Sequence, residues 1–262
     1  MSEVVQMSVA GGVGRLKLNR PERHNALDEQ LIHDAHRAFD LLAGNPAVRV
    51  IVLCSDGPSF CAGADLEWMK RASHLDGQAN FNDARQLAAL LYAIATCPKP
   101  VVARVQGSAY GGGVGMISVC DIAIGVEGAQ FALTEVRLGI AAATISPYVL
   151  AAIGARQARR LVLTGERFDA HRAKGYGLLH EVVAADQLDA EVDRVIALLL
   201  LGGPAAQAAV KDLIRDVEGE PLSRELTDAT ARRLAEIRAS REGREGITAF
   251  LEKRKPNWVP VE

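Results

Sequence analysis

Three short, predominantly apolar runs constrain this chain most: Val48 to Cys54, Val101 to Val105, and Asp121 to Val126. Runs of this length, with little polar alternation, fit strands buried on both faces. Helical patterns separate them. Asn82 to Thr96 has a helical stripe that stops at Cys97-Pro98-Lys99-Pro100, and Gly107 to Gly113 leads into a small-residue helix ending near Cys120. Proline lacks the N–H that a continuing helix needs, which accounts for the stop. Strand, helix and strand in alternation predict an α/β core with parallel pairing.

The chain opens with two further strands, Val4 to Val9 and Arg15 to Leu18, joined by a hairpin turn at Gly11, Gly12 and Gly14. A helix follows over Asp28 to Ala43, with Leu31, Ala35, Ala38, Leu41 and Leu42 on one stripe. Beyond Gly154 the pattern is almost wholly helical: Ala155 to Leu163, Asp169 to Lys174, Asp186 to Leu201, Pro204 to Val217, Leu222 to Ala239 and Gly243 to Lys253. Only Leu179 to Val183 reads as strand there. Residues 1–200 are expected to form the α/β core, and residues 201–262 a helical region that meets a neighbouring subunit or its own core. Sequence repeats are not evident.

With 49% hydrophobic and 24% charged residues, the 262-residue chain can bury a large core. Lysine and arginine total 30 against 32 acidic residues, and no long block is dominated by one sign. Nucleic-acid and membrane partners are therefore not expected. The opening residues lack a basic segment followed by an apolar run, and no apolar stretch reaches the ~18 residues of a spanning helix, so a cytoplasmic location is expected. Cys54, Cys61, Cys97 and Cys120 are scattered, without zinc-ligand spacing, and reduced thiols are expected rather than a metal site.

Chemistry concentrates in two glycine-bearing turns and one carboxylate. Ser59 to Asp65 follows the first apolar run and Gly107 to Gly113 the second, each before a helical segment. Free N–H groups at helix starts carry partial positive charge, and glycine lets an oxygen approach the main chain closely. Such turns suit a developing oxyanion; close helix–strand packing accounts for the same glycines. Neither turn has the Lys-Ser/Thr ending of a P-loop or extends into G-x-G-x-x-G. Glu135, among apolar neighbours from Phe131 to Gly139, would have its pKa raised by burial, or would simply begin a solvated helix.

The chain resembles the enoyl-CoA hydratase/isomerase (crotonase) family. The resemblance rests on Phe60 to Asp65, Gly111-Gly112-Gly113, Cys120-Asp121 and Thr134-Glu135 through Gly139, in matching order and spacing. Asn19-Arg20-Pro21, Leu163 to Glu166, Gly177 to Leu179 and Ala249 to Arg254 extend it to nearly the whole chain. It implies a ββα superhelix core with a helical C-terminal region, and an acyl-CoA thioester as substrate. No separate cofactor is implied, because coenzyme A belongs to the substrate.

By the same resemblance, the N–H groups of Ala64 and Gly112 form an oxyanion hole and Glu135 moves protons. Arg23, His24, Ala62, Asp65, Trp68 and Gly111 would bind substrate. Phe250 and Lys253 would reach coenzyme A of a neighbouring subunit in a homotrimer or dimer of trimers. Core packing of Trp68 and a solvated Lys253 are the competing readings. Family hydratases commonly carry a second glutamate shortly after the Gly triplet, where this chain has Gly115. Leu138 to Tyr148 resembles bacterial methylglutaconyl-CoA hydratases, which favours hydration of a short or branched 2-enoyl-CoA. A single glutamate also fits double-bond isomerisation, and a cleft without its second carboxylate fits a non-catalytic CoA- or RNA-binding scaffold.

Overall fold

The computed structural model describes residues 3–259. Residues 1–2 of the expected core and 260–262 of the expected C-terminal region lie outside the described residues. The chain runs β1 (Val5–Ala10), β2 (Val13–Leu18), α1 (Glu29–Gly44), β3 (Val50–Ser55), β4 (Ser59–Cys61), α2 (Leu66–Ala72), α3 (Gly77–Ala95), β5 (Val101–Val105), β6 (Ser108–Tyr110) and α4 (Gly112–Ser118). It continues through β7 (Ile122–Val126), β8 (Gln130–Ala132), α5 (Ser146–Thr164), β9 (Phe168–Asp169), α6 (Ala170–Tyr176), β10 (Glu181–Val183), α7 (Leu188–Leu201), α8 (Pro204–Val217), α9 (Arg224–Ala239) and α10 (Arg241–Leu251).

Two sheets form. The larger has the order β1-β2-β3-β5-β7-β10, and every pair after the β1/β2 hairpin is parallel. All six residues of β3 are buried, as its apolar run predicts. The smaller sheet, β4-β6-β8-β9, departs from the sequence expectation, which places Ser59 to Cys61 and Ser108 to Tyr110 within turns. Its strands are two or three residues long, below the length at which alternation is visible in sequence. Each long strand β3, β5 and β7 leads into a short strand of the second sheet and then a helix. These are three turns of the ββα superhelix that the resemblance implies.

Several boundaries move for local reasons. Helix α3 starts at Gly77 rather than Asn82, because the Asp76 carboxylate accepts the Ala79 N–H at 2.8 Å and caps it. Helix α5 begins at Ser146-Pro147 rather than Ala155 and is interrupted at Gly154, whose φ of 72° and ψ of 153° are not helical. Proline in the first turn suits a helix start. Beyond Gly154 there are two strands among the described residues, β9 in the smaller sheet and β10 in the larger, where one is expected from sequence.

Helix α1 lies on β1 and β2, and α7 on β3, β5 and β7. The last three helices are tied to the same core. Lys211 of α8 donates to Asp121 Oδ2 at 2.6 Å and to the Lys99 carbonyl at 3.1 Å. Arg49 donates to the carbonyls of Gly202 at 2.6 Å and Trp258 at 3.0 Å. A substantial apolar surface remains uncovered there, with Leu222, Phe250 and Leu251 all more than two-thirds exposed. No single helix among the described residues is long and apolar enough to cross a bilayer.

Candidate active site

The segment after β4 is held along its length by the turn before α1. Ala62 N–H donates to the His24 carbonyl at 2.9 Å, Leu27 N–H to the Gly63 carbonyl at 2.7 Å, and Asp65 N–H to the Leu27 carbonyl at 2.8 Å. Leu27 and Ala64 thereby form an isolated parallel bridge in which the bonds run through the neighbours of Ala64. Backbone groups alternate in direction along an extended chain, so the Ala64 N–H points away from Leu27. Gly112 supplies a second free N–H: as the first residue of α4, it has no carbonyl within the helix to bond.

Glu135 starts a 3-10 helix, Glu135–Leu138, immediately after β8 and Thr134. Its Oε1 lies 2.8 Å from where a Cβ on Gly111 would stand. Gly111 has φ 48°, a conformation that favours glycine, and a Cβ there would push the Glu135 carboxyl from its place. The Glu135 Oε2 is buried without a hydrogen-bond partner. Burial pushes this carboxyl above the usual carboxylate range, opposed by its own backbone N–H.

These groups share one cleft of about 310 Å³, lined by Ala62, Ala64, Trp68, Gly111, Gly112 and Glu135 among the residues expected from sequence. Trp68 combines a cleft-lining position with a packing role. It lines the cleft, is only 8% exposed, and donates Nε1–H to Asp83 at 2.9 Å, tying α2 to α3. The apolar wall includes Leu27, Leu66, Met69, Leu138, Ile140 and Ile145.

Other expected residues do not line the cleft. Arg23 and His24 are exposed on the adjoining turn, where His24 Nδ1 is 3.0 Å from Ser59 Oγ. Asp65 is buried with its carboxylate committed to capping α2, accepting N–H groups of Glu67 at 2.9 Å and Trp68 at 3.2 Å. Phe250 is 82% exposed near the end of α10, and Lys253 follows that helix.

Among the cleft residues not expected from sequence, Leu27 and Ile145 matter most for the glycine positions. Leu27 packs where a side chain on Gly112 would go, and Ile145 fills the space beside Gly115. Leu27 was detectable as the apolar residue ending the turn after Asn19-Arg20-Pro21. Ile145 lies in the Leu138 to Tyr148 resemblance, but its contact with Gly115 spans two elements and leaves no local signal.

The residue pattern of the family described as enoyl-CoA hydratase/isomerase matches residues 8–260. The chain belongs to this family. Solved structures agree: an enoyl-CoA hydratase from Shewanella pealeana is 41% identical with a TM-score of 0.95, the match covering 97% of this chain and 96% of that one. Pseudomonas aeruginosa AtuE is 37% identical with a TM-score of 0.93, over 98% of this chain and all of that one. By sequence, a mevalonyl-coenzyme A hydratase from Aspergillus fumigatus is 33% identical over 248 residues, 94% of this chain and 90% of that protein.

Membership makes the protein an enoyl-CoA hydratase/isomerase family enzyme, and an acyl-CoA thioester is the consistent substrate class. Within this enzyme the Cys61 thiol is fully buried, and that burial pushes its pKa up to about 12, away from the reactive thiolate. A larger cavity of about 470 Å³ among α8, α9 and α10 does not gather a comparable set of groups. Its Glu242 carboxylate accepts the N–H groups of Ala205 at 3.0 Å and Ala206 at 2.8 Å, capping α8.

Proposed function

We propose that the enzyme adds water across the 2,3 double bond of a short or branched enoyl-CoA. The observation that carries this reading is the half-buried Glu135 carboxyl, beside Gly111 and in the same cleft as the free N–H groups of Ala64 and Gly112. A raised carboxyl pKa brings its protonated and ionised forms closer in energy near neutral pH, as proton transfer requires.

In the proposed step, the two N–H groups hold the thioester oxygen. Glu135 takes a proton from water as the water oxygen bonds to C3; the π pair of C2–C3 moves toward C1, and that of the carbonyl onto oxygen. A proton then reaches C2 from Glu135 or water, and the carbonyl re-forms. Loss of one oxyanion donor typically costs on the order of 10²–10³ in rate.

Two observations favour a branched acyl group, such as a methylglutaconyl-like one. Ile145 replaces polar reach from position 115 with apolar wall, and one relative is named for a mevalonyl thioester, whose C3 carries a methyl branch. For coenzyme A, Arg23 and His24 flank the cleft, while Phe250 and Lys253 require a neighbouring subunit. A homotrimer or dimer of trimers is part of the proposal. Asp65 acts here through structure, its N–H bonded to the Leu27 carbonyl and its carboxylate capping α2.

Gly115 and Ile145 also favour a second reading, because they leave Glu135 as the one carboxylate lining the cleft among the described residues. In that isomerase reading, Glu135 removes a proton from C2 of a 3-enoyl-CoA and returns it to C4. Incubation with 2-enoyl- and 3-enoyl-CoA panels separates the two: a product 18 mass units heavier, the mass of water, supports hydration. Double-bond movement without mass change supports isomerisation.

A further inference from the structure

We infer that Arg20 is a positioning residue for the oxyanion cradle, fixing the direction of the Ala64 N–H without touching substrate. The inference rests on the proposed role of Ala64 and Gly112 and adds the device that holds one of those donors in place.

The segment 62–65 takes its shape from the turn 24–28, through the three backbone bonds that flank Ala64. That turn is not part of a regular sheet or helix. His24 and Asn25 stand consecutively in the left-handed region, at φ 51° and 53°, a conformation that residues with a Cβ adopt only under constraint. Asn25 is fully buried and supplies part of the constraint: it accepts the Arg20 N–H at 2.9 Å and donates to the carbonyls of Asp56 at 2.7 Å and Ser59 at 2.9 Å.

The Arg20 guanidinium supplies the rest by joining both sides of the bridge. Its Nη1 donates to Asp28 Oδ2 at 2.5 Å and to the Ala26 carbonyl at 3.3 Å, both on the turn. Its Nη2 lies 3.7 Å from Asp65 Oδ2, on the segment that carries Ala64. Each aspartate is also a helix cap. Asp28 accepts the Leu31 N–H at the start of α1, and Asp65 those of Glu67 and Trp68 at the start of α2.

Arg20 therefore links two helix N-termini across the Leu27–Ala64 bridge. The three side chains are 14%, 17% and 8% exposed, so solvent screens this arrangement weakly. Without the cation, the two carboxylates face each other with no counter-charge from Arg20. Separation of α1 from α2 would then turn the Ala64 N–H away from its partner Gly112. Lysine keeps the charge but not the planar fork that serves both aspartates and the carbonyl.

The test uses the full-length enzyme, Arg20→Met and Arg20→Lys, with the coenzyme A thioester of 4-dimethylaminocinnamic acid. This push–pull chromophore absorbs at longer wavelength as its carbonyl is polarised. In the wild type, a bound probe without a red shift contradicts the oxyanion reading itself. Given a wild-type shift, Arg20→Met is expected to bind the probe within about threefold of wild type, by the affinity that unaltered CoA contacts preserve. It should lose more than half the shift and reduce kcat by about tenfold or more with little change in KM, the mark of a contact made in the transition state. Arg20→Lys should fall between. A full red shift and unchanged kcat in Arg20→Met overturn the inference; if that variant does not fold, a full shift and unchanged kcat in Arg20→Lys do so.

Discussion

Ile145 Cγ2 stands inside the volume that a Cβ on Gly115 would need. The absence of a second glutamate after the Gly triplet is thus matched by a side chain from the start of α5 that fills its place. Gly115→Glu alone is expected to destabilise the enzyme by about 1–3 kcal/mol through overpacking, and to lower turnover. Gly115→Glu with Ile145→Gly should recover much of that stability and raise hydration of a linear 2-enoyl-CoA. Thermal melts and product assays on both variants check this; a single variant as stable and active as wild type would contradict the packing relationship.

The raised pKa of Glu135 has a stability consequence with a definite sign. The native state keeps this proton over a pH window, opening in the ordinary carboxylate range, in which the unfolded chain has released it. Stability therefore falls as pH rises through the window, and the penalty stands in full above it. Glu135→Gln, with no charge to desolvate, should melt higher than wild type at pH 7–8. The difference should shrink as pH drops through and below the ordinary carboxylate range, where glutamate is neutral in both states. Equal melting temperatures across this range would contradict the burial argument.

The exposed C-terminal surface leads to an assembly prediction. Phe250 is 82% exposed and does not line the cleft, so in the proposed assembly it meets coenzyme A bound to a neighbouring subunit. Deleting residues from Gly243 onward should weaken CoA binding about tenfold or more, the loss expected when a central aromatic contact is removed, and lower the oligomeric mass together with it. Light scattering after gel filtration, beside CoA titration, reads both. An active, unchanged monomer would sink the subunit-sharing proposal.

The sequence was most informative where periodicity is long or a cap is local. Strands β3 and β5 were legible because their apolar runs face core on both sides, and α8 was found at Pro204–Val217 without adjustment. The second sheet is hidden in the sequence because its strands are too short to alternate, and two of them lie inside glycine-bearing segments that read as turns. At the site, Glu135, Gly111 and Gly112 were legible from local chemistry and the family resemblance. Asp65 is expected at substrate through the family resemblance, and its carboxylate also caps α2, a role that its place just before that helix makes legible. Ile145 and Arg20 escaped a functional reading for a different reason: what each does depends on residues brought together only by folding.

The proposed reaction depends on Glu135 as the proton carrier of this cleft. Turnover and CoA-ligand affinity of Glu135→Gln, measured beside wild type, put that role to the test. Turnover is expected to fall roughly 10²-fold or more, with ligand affinity largely retained, because glutamine keeps the shape and loses the acid/base group. Near-normal turnover would contradict it and remove Glu135 from the mechanism.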